Sequence, residues 1–114
     1  MTVNDITKLE GYEVQVMADK DAQVSCAYTG DLLSDVMGNA PDDSVLITIQ
    51  AHKNTIAVAS LAGTQAIVIC NGRAIPDDMK ESAQSEGVSL FSTKDDQFMA
   101  SCKIASLLGI VTIN

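Results

Sequence analysis

Apolar and polar residues recur along this chain with two different periods, and each change of period marks the boundary of a predicted element. Short apolar runs, several of them rich in Val and Ile, predict strands at residues 12–18, 24–28, 45–49, 65–70 and 88–91. Apolar residues spaced three or four apart predict helices at residues 3–9, 32–38 and 95–108. Small apolar residues predict a buried helix at residues 55–61, and a proline followed by two aspartates predicts one at residues 76–86. From residue 44 to residue 108 strands and helices alternate with short loops, which predicts a mainly parallel sheet.

Turn and capping residues predict where the central helices begin and end. Asn54 or Thr55 suits the N-cap of the helix after the strand at residues 45–49, because either side chain can accept a hydrogen bond from a backbone N–H group. Pro76 suits the first position of the next helix, where its missing N–H has no helical partner to lose. Gly63 and Gly87 suit the residues just after these two helices, where the backbone turns left-handed.

The apolar faces of two helices and the apolar C-terminal run predict what is buried. The stripe in residues 32–38 consists of Leu32, Leu33, Val36 and Met37, and the stripe in residues 95–108 consists of Phe98, Cys102, Ala105 and Leu108. Residues 110–113 suit either a closing edge strand or a tail that pairs with a neighbouring molecule. Because such a run leaves apolar surface for a partner, we expect a homodimer.

The composition agrees with an α/β domain whose core is aliphatic. Aromatic residues make up 4% of the chain and Trp is absent, so Val, Ile, Leu, Ala and Met have to fill the core. Such a core is typical of a parallel sheet covered by helices. At 114 residues the chain is long enough for one core, so we expect a single compact α/β domain over residues 1–114 with about five strands.

The charge balance argues against two classes of partner. Fifteen Asp and Glu residues against seven Lys and Arg residues give a net charge of −8. Nucleic acid and anionic membranes both bind basic surfaces, so neither is an expected partner. The acidic balance also suits a plain solvated surface that has no partner at all.

The cysteines and the apolar segments indicate a compartment. Cys26, Cys70 and Cys102 are far apart and each has apolar neighbours, which indicates buried free thiols rather than a disulfide or a metal site. The N-terminal residues do not have the pattern of a signal peptide, and no apolar run approaches the ~20 residues of a membrane span. We therefore expect a cytoplasmic protein.

Four polar loops that lead into helices are the candidate site. In a parallel sheet the loops at residues 29–31, 50–54, 71–73 and 92–94 all lie at the carboxyl edge, where ligands of α/β proteins bind. His52, Lys53 and Arg73 are possible cations there, and free N–H groups at helix starts favour a small anion such as phosphate or carboxylate. The candidate ligand-binding residues are Thr29, Asp31, Thr48, Gln50, His52, Asn54 and Asn71.

The same residues have plainer interpretations, which stay open. Asn54 or Thr55 can serve only as a helix cap, and His52 can be a structural imidazole. As a catalytic base with Asp31 or Asp35, His52 lacks a Ser or Cys nucleophile motif. The chain also lacks both glycine-rich nucleotide motifs and a metal-ligand cluster, so we expect no cofactor, no metal and no enzymatic activity.

Three segments of the chain resemble the DRTGG domain family: GDLLSDVMGNAPDDSVLITIQAHKNTIAVASLAG from Gly30, AIVICNGRAIPDD from Ala66 and GVSLFST from Gly87. Domains of this family stand alone or occur inside phosphotransacetylases and CBS-containing pyrophosphatases, and they are similar in fold to the N-terminal domain of HPr kinase/phosphorylase. The resemblance runs from about residue 6 to residue 108. It implies a regulatory or ligand-sensing α/β module, frequently dimeric, with no established reaction.

Two departures from the family pattern limit what the resemblance implies. Ala51-His52 stands where many relatives carry Asp-Arg, and Cys70-Asn71-Gly72 stands where they carry Thr-Gly-Gly. A ligand of the Asp-Arg version is therefore not implied, and neither is kinase activity, because the phosphate loop of HPr kinase lies in a separate domain.

A second function is implied by a further resemblance, in residues 48–54. The T-x-Q-x-H-x-N pattern is similar to a stand-alone subgroup that includes companions of hydrogenase and redox operons. The alternative to a ligand-sensing domain is therefore a structural or interaction partner of a larger redox (hydrogenase-type) or signalling complex.

Overall fold

A five-stranded sheet lies between two layers of helix in the computed structural model, which describes residues 1–112. The strands are β1 (Glu13–Val16), β2 (Cys26–Thr29), β3 (Ser44–Thr48), β4 (Ala66–Ile69) and β5 (Ser89–Ser92). They lie in the order β1-β5-β4-β3-β2, with β2 to β5 parallel and β1 antiparallel to β5. The predicted α/β class and mainly parallel sheet are confirmed.

The helices divide unequally between the two faces of the sheet. They are α1 (Leu33–Asn39), α2 (Lys53–Ala62), α3 (Asp77–Glu86) and α4 (Gln97–Leu107), preceded by a 3₁₀ helix (Val3–Lys8). On one face, α1, α2 and α3 pack around a core that includes Leu46, Ile67 and Leu90. On the other face, α4 and the 3₁₀ helix pack around a core that includes Ile47 and Phe91.

This division makes the chain leave two neighbouring strands in opposite directions. After β4 the chain passes to α3 on the first face, whereas after β5 it passes to α4 on the other face. Loops that diverge in this way leave a crevice outside the carboxyl ends of the two strands, which is where open α/β sheets bind ligands. The fold therefore places a crevice next to β4 and β5.

The start of α2 differs from the sequence prediction. The helix begins at Lys53 with His52 in the N-cap position, and neither Asn54 nor Thr55 is the cap. The Thr55 hydroxyl donates to the carbonyl oxygen of Gln50 at 2.7 Å instead, and this bond holds the preceding loop against the first turn. The predicted cap is therefore wrong.

The ends of α2 and α3 agree closely with the prediction. Gly63 and Gly87 follow the two helices with left-handed φ angles of 77° and 71°, as C-terminal capping requires. Pro76, the predicted first residue of α3, lies at its N-cap, so the helix begins one residue later than predicted.

The predicted buried faces of α1 and α4 are wrong in part. In α4, Ala100 and Ile104 are fully buried, whereas Phe98 is 75% exposed. Polar contacts of Gln97 and Ser101 with the end of β2 hold the helix in this rotation, so the small Ala100 faces the sheet. In α1, Val36 is fully buried, but Leu32 and Met37 are exposed.

The cysteines form no disulfide, and they differ in burial. Cys70 is buried, as predicted, and burial raises the pKa of its thiol to about 12. Cys26 and Cys102 are only half-buried, so the prediction of buried thiols is wrong for these two.

The C-terminal prediction is tested only in part. Residues 110–112 form no strand, and Ile113 and Asn114 lie outside the described residues. Within residues 1–112 the structure contains no helix with the length and apolar character needed to cross a bilayer.

Candidate functional site

One carboxylate oxygen connects the ends of β2, β3 and α4. Asp31, just after β2, accepts hydrogen bonds at Oδ1 from the Thr48 hydroxyl at 2.9 Å and from the backbone N–H of Ile49 at 3.0 Å. The Gln97 amide of α4 donates to the same oxygen at 3.0 Å. Three donors on one carboxylate oxygen make Asp31 a structural link between these elements.

Asp31 and its partners Thr48, Ile49 and Gln97 form a polar cluster. The only histidine of the chain lies at the outer end of this cluster. The Gln50 side-chain amide donates to the carbonyl oxygen of Asp31 at 3.0 Å, which directs Gln50 Oε1 towards His52. His52 Nε2 lies 3.2 Å from Gln50 Oε1, which can only accept a hydrogen bond, so Nε2 is the donor. This bond sets the ring orientation of an exposed imidazole at the N-cap of α2.

The other candidates of the sequence prediction divide between the cluster and its surroundings. Thr29 joins the cluster through α4, because its hydroxyl lies 2.7 Å from that of Ser101, which in turn donates to the carbonyl oxygen of Gln97. Asn54 is exposed in the first turn of α2, and Asn71 follows β4. The described hydrogen bonds do not connect either one with Asp31.

Gln97 and Ser101 are the cluster residues that sequence reasoning missed. Their four-residue spacing places them on one side of a helix, and this was the only signal in the sequence. The Gln97 amide donates to Asp31 Oδ1, so this N–H group is not available to an anion. Asp31 itself adds a negative charge to the cluster. Both features make the cluster less suited to an anion than its sequence suggests.

A cleft of about 380 Å³ lies elsewhere along the same edge, where the chain diverges after β4 and β5. Its walls come from the turn after β4, the segment after β5 and the loop before β1. The lining residues are Glu10, Gly11, Glu13, Gly72, Arg73, Ser92, Thr93, Lys94 and Asp95.

The turn after β4 and the segment after β5 each bring one cation to this cleft, Arg73 and Lys94. Asn71 and Gly72 both have left-handed φ angles, 64° and 62°. Their N–H groups donate to the carbonyl oxygens of Asp95 and Thr93, each at 2.9 Å, so the turn is fastened to the segment after β5. A Cβ atom added to Gly72 would lie 3.7 Å from Cγ of Lys94, so the Lys94 side chain passes close to the turn that carries Arg73.

Asp95 is neutralised by groups outside the cleft. Its carboxylate accepts from Lys103 Nζ of α4 at 2.7 Å and from the Tyr12 hydroxyl at 2.8 Å. The Lys103 ammonium lowers the pKa of Asp95, while burial and the neighbouring carboxylate raise the pKa of Tyr12. Arg73 and Lys94, in contrast, form no ion pair with any of residues 1–112.

The arrangement of possible metal ligands bears on whether the described part of the chain could hold a metal ion. Over residues 1–112, three or more His, Cys, Asp or Glu side chains do not come together in an arrangement that could hold one.

Comparison with known proteins finds a likeness of fold but not of family. No protein-family model matches the chain, and no curated protein matches it. Its structure is similar to the crystal structure of the CBS and DRTGG domains of the regulatory region of Clostridium perfringens pyrophosphatase, complexed with the activator diadenosine tetraphosphate.

The likeness covers 98% of this chain at a TM-score of 0.68 and 13% sequence identity. The chain spans about half of that structure, 49% of its length. A likeness at this low identity shows the fold alone. It supports the DRTGG-like fold that the sequence resemblance implied.

Proposed function

We propose that this chain is a non-catalytic regulatory domain that senses a small anionic metabolite at the carboxyl edge of its sheet. The observation that carries the proposal is that Arg73 and Lys94 both line one cleft, where β4 and β5 diverge. Neither cation has an ion-pair partner among residues 1–112. The cleft has the size of a small-molecule site.

The two cations suit a phosphate or carboxylate group for different reasons. A guanidinium such as that of Arg73 can donate two parallel hydrogen bonds to one anionic group, which fixes its orientation. An ammonium such as that of Lys94 adds a mobile point charge. In an acidic chain of net charge −8, two cations without an ion-pair partner among residues 1–112 favour an anionic group next to them.

Two further observations support a regulatory role without catalysis. The structurally similar pyrophosphatase region is a regulatory region in complex with an activator, which makes sensing a reasonable role for this fold by analogy. In addition, His52 is hydrogen-bonded to the Gln50 amide rather than to a Ser hydroxyl or Cys thiol, so it lacks the nucleophile partner of covalent catalysis.

A second candidate function is that of an interaction partner in a larger redox (hydrogenase-type) or signalling complex. It is favoured by large apolar side chains that are at least two-thirds exposed: Leu32, Leu61, Phe98 and Ile110. Apolar surface that such side chains form together is typical of sites that contact another protein. We propose that the domain is a homodimer in the cytoplasm and uses part of this surface for self-association.

The ligand proposal is tested by a thermal-shift screen of phosphate- and carboxylate-bearing metabolites against the purified chain. A specific ligand raises the melting temperature by mass action, and the shift grows with ligand concentration. Arg73→Ala and Lys94→Ala are expected to reduce the shift strongly, while Lys20→Ala, which removes an exposed lysine away from the cleft, serves as the matched control.

The same screen separates the cleft from the sequence-predicted cluster. A His52→Ala variant that loses the shift, beside an Arg73→Ala variant that keeps it, would place the anion at Gln50, His52 and their neighbours. If no compound shifts the parent protein, the interaction-partner function becomes the better proposal.

A further inference from the structure

We infer that the ligand of this cleft is a zwitterion, with an anionic group for Arg73 and Lys94 and an ammonium group for Glu10 and Glu13. The inference rests on the proposed function and specifies its ligand class. It follows from the wall of the cleft that lies opposite the two cations.

The opposite wall is acidic because of the way β1 joins the sheet. β1 runs antiparallel to β5, so its first residues lie beside the last residues of β5. Glu13 is thereby paired with Ser92, and the preceding loop brings Glu10 to the same cleft. Both glutamates are exposed, and neither forms an ion pair with any of residues 1–112.

The two walls thus present opposite charges that do not neutralise each other directly. Arg73 and Lys94 belong to the segments after β4 and β5, whereas Glu10 and Glu13 belong to the segment around the start of β1. All four line one cleft of about 380 Å³, yet no N–O pair among them is close enough for a salt bridge. The gap between the walls has room for a small molecule that contacts both.

The sign of the charges distinguishes a zwitterion from a plain dianion. A dianion gains attraction from Arg73 and Lys94 but meets repulsion from the carboxylates of Glu10 and Glu13 in the same cleft. A zwitterion of suitable length gains at both ends, and direct contact with both walls keeps each attraction well inside the Debye length of about 8 Å at physiological salt. Asp95 adds little repulsion, because Lys103 pairs with it.

A series of probes of equal chain length tests the inference. The probes are 5-aminopentanoate, glutarate, pentanoate and pentylamine, each titrated into the purified chain and followed by NMR shifts of the residues that line the cleft. We expect 5-aminopentanoate to bind more tightly than the other three. Its affinity should fall about two- to fivefold on adding 0.5 M NaCl, because salt screens both contacts.

Two variants assign the ends of the probe to the two walls. Glu13→Gln is expected to weaken 5-aminopentanoate about two- to fivefold and to strengthen glutarate, whereas Arg73→Gln weakens both. Glu81→Gln, at an exposed position of α3 outside the cleft lining, is the control and should change neither.

The outcomes separate this inference from the proposed function. Glutarate that binds at least as tightly as 5-aminopentanoate, with an affinity that depends on Arg73, would overturn the zwitterion and leave the anion site standing. Binding that is unchanged by Arg73→Gln would overturn both the zwitterion and the anion site. The absence of binding by any of the four probes would overturn the zwitterion.

Discussion

At the scale of single residues, Asp31 shows how a residue predicted to contact a ligand can instead stabilise the fold. It follows β2 at the edge where α/β proteins bind ligands, and for this reason the sequence marks it as a candidate ligand contact. In the structure its Oδ1 accepts from a hydroxyl, a backbone N–H and a side-chain amide. The side chain therefore contributes to holding β2, β3 and α4 together.

Replacing Asp31 by Ala should lower the free energy of unfolding by about 1–3 kcal/mol, because three donors lose their acceptor. Urea denaturation measures this change. Asp21→Ala, at an exposed position whose side chain accepts none of the described hydrogen bonds, should stay within about 0.5 kcal/mol of the parent protein. An Asp31→Ala variant that unfolds with the parent but loses ligand binding would return Asp31 to the binding site.

At the scale of elements, α4 decides the shape of the carboxyl edge. Its sequence allows more than one buried face, because Phe98, Ala100 and Ile104 all offer apolar surface. The structure buries the side with Ala100 and Ile104, and it connects Gln97 and Ser101 to the end of β2. Hydrophobicity alone favours Phe98 as the buried residue, and the polar contacts of the helix reverse that choice.

A pair of truncations in α4 tests this rotation. Ile104→Ala removes a fully buried side chain and should cost about 2–5 kcal/mol of unfolding free energy. Phe98→Ala removes a side chain that is 75% exposed and should change stability by about 0.5 kcal/mol or less. Chemical denaturation of both variants gives the comparison, and a larger loss for Phe98→Ala would show that α4 buries the face predicted from the sequence.

At the scale of the whole molecule, two surface properties act against each other. A net charge of −8 makes two copies repel, whereas exposed side chains such as Leu32 and Phe98 favour association. Because salt screens the repulsion and leaves the apolar contact, a dimer should become more stable as ionic strength rises.

We predict that multi-angle light scattering at micromolar concentration gives twice the mass of one chain. On dilution, the dimer should dissociate at a lower protein concentration in 0.5 M NaCl than in 0.05 M NaCl. A Phe98→Ser/Leu32→Ser double variant tests whether this apolar surface is involved. A single-chain mass at every salt concentration would exclude the homodimer.

The sequence by itself determined the local elements and their order. Val and Ile runs specify the strands, and glycines such as Gly63 and Gly87 specify helix ends, because these signals act over a few residues. The alternation of strands and helices after residue 44 was enough to predict the parallel sheet and the edge where its loops meet.

Only the tertiary structure decided which part of that edge is open. The crevice forms next to β4 and β5 because α3 and α4 pack on opposite faces of the sheet, and that choice depends on contacts between residues far apart, such as Gln97 with Asp31. The same packing fills the region around Asp31 and brings Arg73, Lys94 and Glu13 to one cleft. The sequence places Arg73 and Lys94 in loops of this edge, but no short-range pattern shows which of the loops stay open before the faces are assigned.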